Sequence, residues 1–329
     1  MRLTRRQFTV GSAAALATPF IVPAAAQTPG RAIGDAARAF DRLHAVLVQR
    51  GGDLVFAEAL RGPGLDRTAN IKSCSKSIVA LLLGIAIDRG EISGVNARLA
   101  EVAPQLLPKD ADPDVAEITL QDLVTMRAGL EATSGREYGA WVNSRNWVAY
   151  ALRRPMVAEP GGRMIYSTGS SHVLGAALTV AAGESLLAQA RARLGDPLGI
   201  EIPAWTRDPQ GYYMGGNQMA MTPRGMLRVA MLMRDGGLFD GRQVVPRDWV
   251  TASAEPRTQS PWSGLGYGYG WFVSDSGYLI ARGYGGQVIA AHPERELAVA
   301  ITSDPDQPAR SQGYFGELMR FLEGPILEA

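Results

Sequence analysis

The sequence predicts a mixed α/β (α+β) fold, with an antiparallel sheet built from both chain ends, flanked by helices, and a helical lobe inserted between the two halves. Three observations predict it. Early in the chain, residues 45–50 and 54–57 are β-type runs separated by Gly51-Gly52-Asp53, the pattern of a hairpin. Late in the chain, residues 271–273, 278–281, 288–291 and 297–301 are short β-type runs with turn signals at Asp275-Ser276-Gly277 and Pro293-Glu294-Arg295. Between them, residues 90–250 read as helices broken by Pro and Gly. Strands confined to the two ends are expected to pair with each other in a single sheet.

Taken in order, the first 26 residues stand apart. Thr4-Arg5-Arg6-Gln7-Phe8 precedes a modestly apolar stretch, 10–22, and then Ala24-Ala25-Ala26 before Gln27. That is the pattern of a twin-arginine export signal, too short and too rich in Ala, Gly and Ser to span a membrane. The expected mature protein, 27–329, is periplasmic or secreted and has no stable membrane anchor. Residues 38–43 read as a helix end, and the hairpin follows. A helix is expected over 75–89, where Ile78-Val79-Ala80-Leu81-Leu82-Leu83 is continuously apolar. Further helices are expected over 120–126, 173–181, 186–194 and 225–234, then the late strands, and a closing helix over 314–322. This divides the domain, 27–329, into an α/β part, 27–89 with 255–329, and a helical lobe, 90–254.

Composition excludes several functions. The 33 basic residues nearly balance the 32 acidic ones, and loss of 1–26 leaves a net charge of about −2, so no field favours nucleic acid. Cys74 is the single cysteine, so no internal disulfide forms. His44, His172 and His292 are far apart and belong to no metal-ligand pattern, so no metal is expected. No phosphate loop and no G-x-S-x-G elbow occur. Gly266-Tyr267-Gly268-Tyr269-Gly270 runs into a strand rather than a helix, so it is no dinucleotide fingerprint and no cofactor is implied.

Ser73-Cys74-Ser75-Lys76 carries the chemistry. At the start of a helix, positions i and i+3 lie on one face, which puts a hydroxyl beside an amine. The amine activates the hydroxyl only if burial or nearby charge lowers its pKa from roughly 10.4. Thirty of the basic residues are Arg, which cannot deprotonate; Lys occurs only at 72, 76 and 109. Read alone, the tetrapeptide is also compatible with a serine-capped helix start, and Cys74 with a packed core thiol or a nucleophile of its own.

The order of motifs resembles the penicillin-recognising serine hydrolases, the β-lactamase, DD-peptidase and esterase superfamily with its β-lactamase/transpeptidase-like fold, nearest to the class C group. The first motif is Ser73-Cys74-Ser75-Lys76. The second is Tyr166-Ser167-Thr168, introduced by Glu159-Pro160-Gly161-Gly162-Arg163, and the third is Gly283-Tyr284-Gly285-Gly286-Gln287 on a late strand. The connectors Ile118 to Leu130 and Asp196-Pro197-Leu198-Gly199-Ile200 match as well. The resemblance implies that Ser73 attacks a carbonyl, Lys76 takes its proton, and Tyr166 serves as a second acid/base through a phenolate stabilised by the lysine. It implies oxyanion binding by the N–H groups of Ser73 and Tyr284, with Gly283, Gly285, Gly286 and Thr168 contacting substrate.

Two departures refine the expectation. Thr168 stands where the second motif usually carries Asn, and Gly283-Tyr284-Gly285 replaces the Lys-Thr-Gly or His-Thr-Gly that binds a β-lactam carboxylate. The third motif is similar to that of 6-aminohexanoate-oligomer hydrolases and class C-like esterases. The expected function is hydrolysis of a small-molecule ester or amide through an acyl-enzyme. The alternatives are β-lactamase or DD-peptidase activity, or a non-catalytic cell-wall-binding module. Tyr138, Trp141, Tyr212, Tyr213 and Trp271 either line an acyl pocket or pack in the core, and His172 reads as a structural helix residue.

Overall fold

The computed structural model describes residues 29–329, and the expected export signal lies outside the described residues. Eight strands form one antiparallel sheet. In chain order the strands of the molecule are β1 (Leu43–Arg50), β2 (Asp53–Ala59), β3 (Ala69–Asn70), β4 (Ala220–Met221), β5 (Leu238–Phe239) and β6 (Arg242–Gln243). They continue with β7 (Thr258–Gln259), β8 (Gly266–Tyr267), β9 (Phe272–Val273), β10 (Leu279–Arg282), β11 (Val288–His292) and β12 (Leu297–Ser303). The order across the large sheet is β2-β1-β12-β11-β10-β9-β8-β7. The expected union of the two chain ends is the β1–β12 pair, with Val46 opposite Ile301 and Val48 opposite Val299.

Alternation explains how this sheet is covered on both faces. Leu297, Val299 and Ile301 of β12 face a layer containing Ile33, Phe315, Leu318 and Phe321, from the helices Pro29–Arg38 and Tyr314–Phe321. Ala298 and Ala300, with Ala281 of β10 and Ala291 of β11, face the opposite core. There small and large side chains pair across the strands, Ala300 with Leu47 and Ile289 and Ala291 with Leu279, and buried helices pack on this face. The helix Ser75–Asp88 is the deepest of these, buried from Ser75 to Ala86 and packed against the helix Thr168–Ala182.

The structure differs from expectation in places. The first helix stops at Arg38, and Leu43 already belongs to β1. The pairs β3–β4 and β5–β6 lie outside the large sheet and are only two residues per strand, too short for periodicity to reveal. Within the segment expected to form a helical lobe, the helix Pro223–Arg234 lies directly on β1, β11 and β12. The helix expected over 186–194 is α-helical over Leu186–Ala190 and continues as a π-turn, Arg191–Gly195.

Candidate active site

The chain enters the site through β3, whose pairing of Asn70 with Ala220 brings residues 216–221 alongside the serine turn. Ile71 N–H donates to the Met219 carbonyl at 2.9 Å, and Asn70 Nδ2 to Gln218 Oε1 at 2.6 Å. A 3₁₀ turn, Lys72–Cys74, precedes the long helix. Lys72 has φ +50°, a left-handed conformation unusual for a non-glycine residue. Two bonds hold it: its N–H donates to Asn70 Oδ1 at 2.8 Å, and its carbonyl accepts from Ser75 Oγ at 2.6 Å. The kink leaves Ser73 partly exposed while Cys74 and the helix behind it are buried. Cys74 Sγ contacts the Gln287 carbonyl at 3.5 Å, and burial pushes its thiol up, which removes it as a nucleophile.

Lys76 is 4% exposed. Its Nζ lies 3.1 Å from Ser73 Oγ, 3.2 Å from Thr168 Oγ1 and 2.7 Å from the Gly216 carbonyl. Burial lowers its pKa to about 7. Three acceptors suit the three N–H bonds of the ammonium form. In the amine form the lone pair is free to receive the Ser73 hydroxyl proton while the Gly216 carbonyl retains an N–H. Gly216 permits this contact, since a Cβ there would stand 2.7 Å from Ser171 Cβ and 3.2 Å from Lys76 Nζ.

The second motif is set by its connector. Thr119 and Asp122 form a capping box at the helix Leu120–Val124. Just beyond that helix, the Met126 carbonyl accepts from Ile165 N–H at 2.7 Å and Arg127 Nε donates to the Gly162 carbonyl at 2.8 Å. Tyr166 is thereby delivered next to the lysine, with Lys76 Nζ 5.0 Å from its ring centroid. At the following helix N-terminus, Thr168 and Gly169 N–H groups donate to Ser134 Oγ at 2.9 Å and Thr133 Oγ1 at 2.7 Å. Ser134 Oγ also lies 3.0 Å from Thr168 Oγ1, so Thr168 links this cap to the lysine. Thr133, Ser134 and Gly216 were not singled out by the sequence, whereas Thr168 was; their roles depend on contacts across long sequence separations.

Burial pushes the Tyr166 phenol up to about 12, with the neighbouring Ser73 hydroxyl and Arg282 offsetting part of the effect. Tyr166 is therefore a neutral phenol at neutral pH, not the expected phenolate. It is a proton donor in the resting site, and Lys76 is the group able to accept a proton.

The third motif forms the turn between β10 and β11 rather than lying within a strand. Gly283 N–H donates to the Gln287 carbonyl at 2.8 Å and Gly286 N–H to the Gly283 carbonyl at 3.0 Å. Gln287 is buried, its Oε1 accepting from Gly285 N–H at 3.0 Å and its Nε2 donating to the Ser303 carbonyl at 3.0 Å. Gly283 closes on the serine turn, where a Cβ would come within 2.6 Å of the Ile71 carbonyl. Tyr284 and Ser73 N–H groups have no acceptor among the described residues. Gly285 and Gly286 are not at the cavity wall, which corrects their expected substrate contact. A Cβ on them would meet the Asp304 carbonyl at 2.3 Å and Tyr314 Cε1 at 2.5 Å, so their smallness serves packing of the turn.

Ser73, Tyr166, Thr168, Gly283 and Tyr284 all border one cavity of about 1070 Å³. Tyr138, Phe272, Pro261 and the exposed Trp262 add apolar wall. Of the aromatic residues left open by the sequence, Tyr138 lines this cavity, whereas Trp141 and Trp271 are fully buried core. His172 is buried too, with its Nε2 3.1 Å from Asp208 Oδ2. Among the described residues no cluster of His, Cys, Asp and Glu has the form of a metal site.

A pH dependence follows from the lysine. Its amine fraction grows as pH rises through about 7, and Tyr166 stays protonated until about 12. We expect kcat/KM to rise from pH 5.5 to 8.5 with one inflection near 7 and no alkaline fall in that range. A profile flat over this interval contradicts the assignment of Lys76 as base.

Comparison with curated protein sequences gave no match. Solved structures share the fold. EstCE1, a hydrolase with promiscuous acyltransferase activity, superposes with a TM-score of 0.74 at 17% identity, over 92% of this chain and 98% of that one. A penicillin-binding protein homologue from Caulobacter crescentus gives 0.73 at 14% identity, over 90% and 97%. A Bacillus anthracis protein assigned as a 6-aminohexanoate-dimer hydrolase gives 0.72 at 18% identity, over 87% and 78%. The profile of the Beta-lactamase family matches residues 36–319, nearly the whole described chain. With its serine–lysine pair, tyrosine and glycine turn assembled around one cavity on this fold, the chain belongs to the Beta-lactamase family.

Proposed function

We propose that the protein is a serine hydrolase that cleaves a small ester or amide through an acyl-enzyme, acting as a carboxylesterase or small-amide hydrolase. One observation carries the reading: a buried amine with a pKa of about 7 sits 3.1 Å from a partly exposed serine hydroxyl that lines a cavity. Ser73 Oγ bonds to the carbonyl carbon as Lys76 takes its proton. Negative charge on the carbonyl oxygen is met by the N–H groups of Ser73 and Tyr284. The bond to the leaving group breaks as Tyr166 protonates it, and the proton held by Lys76 restores the phenol. Water then repeats the sequence on the acyl-enzyme and frees Ser73.

A panel of short-chain p-nitrophenyl esters, nitrocefin and a linear amide oligomer tests this. Turnover is expected for an ester or the amide and to be weak for nitrocefin, given Thr168 where the second motif usually carries Asn. Turnover of nitrocefin above every ester and amide overturns the substrate class. No turnover of any member, with no labelling of Ser73 by a fluorophosphonate, favours the non-catalytic wall-binding reading.

Export through the twin-arginine route is part of the proposal, supported by Arg5-Arg6 and the small residues before Gln27. Replacing both arginines, Arg5→Lys with Arg6→Lys, should leave precursor in the cytoplasm, read by fractionation and immunoblot. Normal processing of the double variant rules the route out.

A further inference from the structure

The chain as a whole is nearly charge-balanced, with 33 basic and 32 acidic residues, but its cavity is not. Lys72, Arg282 and Arg310 border it, and no aspartate or glutamate does. None of the three forms an ion pair among the described residues, whereas arginines elsewhere do so repeatedly, as Arg193 with Glu91 and Arg154 with Glu137.

Arg282 is the most constrained of the three. Its guanidinium carbon lies 3.5 Å from the Phe315 ring centroid and 5.3 Å from that of Phe272, and both terminal nitrogens are 3.2 Å from Ser311 Oγ. One neutral hydroxyl is all that its five N–H donors are given. Burial pushes its pKa down to about 10, which still leaves it charged at neutral pH. A cation held partly out of water without a countercharge is unfavourable unless something supplies the charge. It also directly precedes Gly283-Tyr284 and influences the Tyr166 phenol, so its charge is beside the reacting groups.

We propose that the substrate of this site carries a carboxylate that docks on Arg282, with Arg310 and Lys72 drawing it into the cavity mouth. The proposal deepens the ester or amide hydrolase reading and rests on it. An uncharged ester leaves Arg282 uncompensated, whereas a carboxylate takes its free N–H groups in charge-assisted bonds. The competing structural role, a staple joining Phe272 to the C-terminal helix, needs no anion and predicts no preference for one.

The full mature chain is assayed with two matched ester pairs, each kcat/KM divided by the uncatalysed hydrolysis rate of that ester. The first pair, p-nitrophenyl hemiglutarate and p-nitrophenyl butyrate, places the charge on the acyl side. The second, 3-carboxyphenyl acetate and phenyl acetate, places it on the leaving group. The wild type should prefer the charged member of at least one pair by about tenfold or more, the scale of a charge-assisted hydrogen bond. Arg282→Gln should bring that ratio towards one, and Arg282→Lys should restore part of it. Arg310→Gln, on an exposed loop, should lower the ratio by a smaller factor and mainly through KM. Should Arg282→Gln not fold, the Arg310→Gln ratio and a fall of the wild-type ratio with added salt decide. No preference at either end, or equal loss of both members in Arg282→Gln, overturns the proposal. Calorimetric binding of glutarate against glutaramide tests it without turnover: tighter glutarate supports it and equal binding overturns it. If no ester is cleaved and Ser73 is not labelled, it is the hydrolase reading that fails, and the glutarate comparison still judges the charge inference.

Discussion

Ser73→Ala is expected to abolish both turnover and fluorophosphonate labelling while leaving the fold intact. Removal of the nucleophile in a serine enzyme commonly costs about 10⁴-fold or more in kcat, because what remains is binding and oxyanion stabilisation alone. The fold should tolerate it. Ser73 is partly exposed, and the side chains that its hydroxyl meets are Lys76 and Tyr166, both held by other contacts. Lys76 keeps the Thr168 hydroxyl and the Gly216 carbonyl in the variant, so no buried amine is left without partners. Intact-protein mass spectrometry should find a single adduct on the wild type and none on Ser73→Ala, with matching circular dichroism. Equal labelling of the variant would place the nucleophile elsewhere, and Ser75, whose hydroxyl is already bonded to the Lys72 carbonyl, is poorly placed to be that residue.

How much of this was legible in the sequence follows from what each contact depends on. Ser73 and Lys76 are three residues apart on the same turn, so their encounter is local and the spacing alone predicts it. The sheet was legible where strands are long: β1 and β12 carry seven or more residues each, and their alternation is visible. Two-residue strands such as β3 and β4 carry no periodicity, yet β3–β4 is what brings Gly216 to the lysine. The partners of Lys76 and of the helix at Thr168 come from residues 133, 134 and 216, far off in sequence and of common types. The third motif was found, but its division of labour was not. Gly283 and Gly286 look alike in sequence, and only their neighbours, the Ile71 carbonyl and the Tyr314 ring, separate a site contact from a packing contact. The ionisation of Tyr166 was equally hidden, since it is set by the burial of a side chain whose surroundings come from β9 and the serine turn.

Lys76→Arg is expected to be nearly inactive although it preserves positive charge. A base must be in its deprotonated form to accept the Ser73 proton. Burial brings the lysine to a pKa of about 7, so a large fraction of it is a neutral amine at working pH. A guanidinium keeps its proton under all such conditions, whatever its surroundings. Geometry adds to this loss, because the three acceptors at 2.7 to 3.2 Å are arranged around a compact ammonium, while Gly216 and Thr168 enclose it closely. Loss of a positioned base costs about 10²–10⁴-fold in rate, and more where base and nucleophile act as a unit. The two possible roles of the lysine then separate cleanly. A fixed charge that merely stabilises the oxyanion or orients Ser73 survives replacement by another cation, whereas a base does not. Lys76→Arg should therefore lose at least about a hundredfold in kcat/KM, lose the inflection near pH 7, and react with fluorophosphonate correspondingly slowly, with circular dichroism unchanged. Turnover within about threefold of wild type in a folded variant would mean that the proton of Ser73 goes elsewhere. Tyr166 is then the nearest candidate, and with its phenol held up to about 12 it would have to act as base in a form that is scarce at neutral pH.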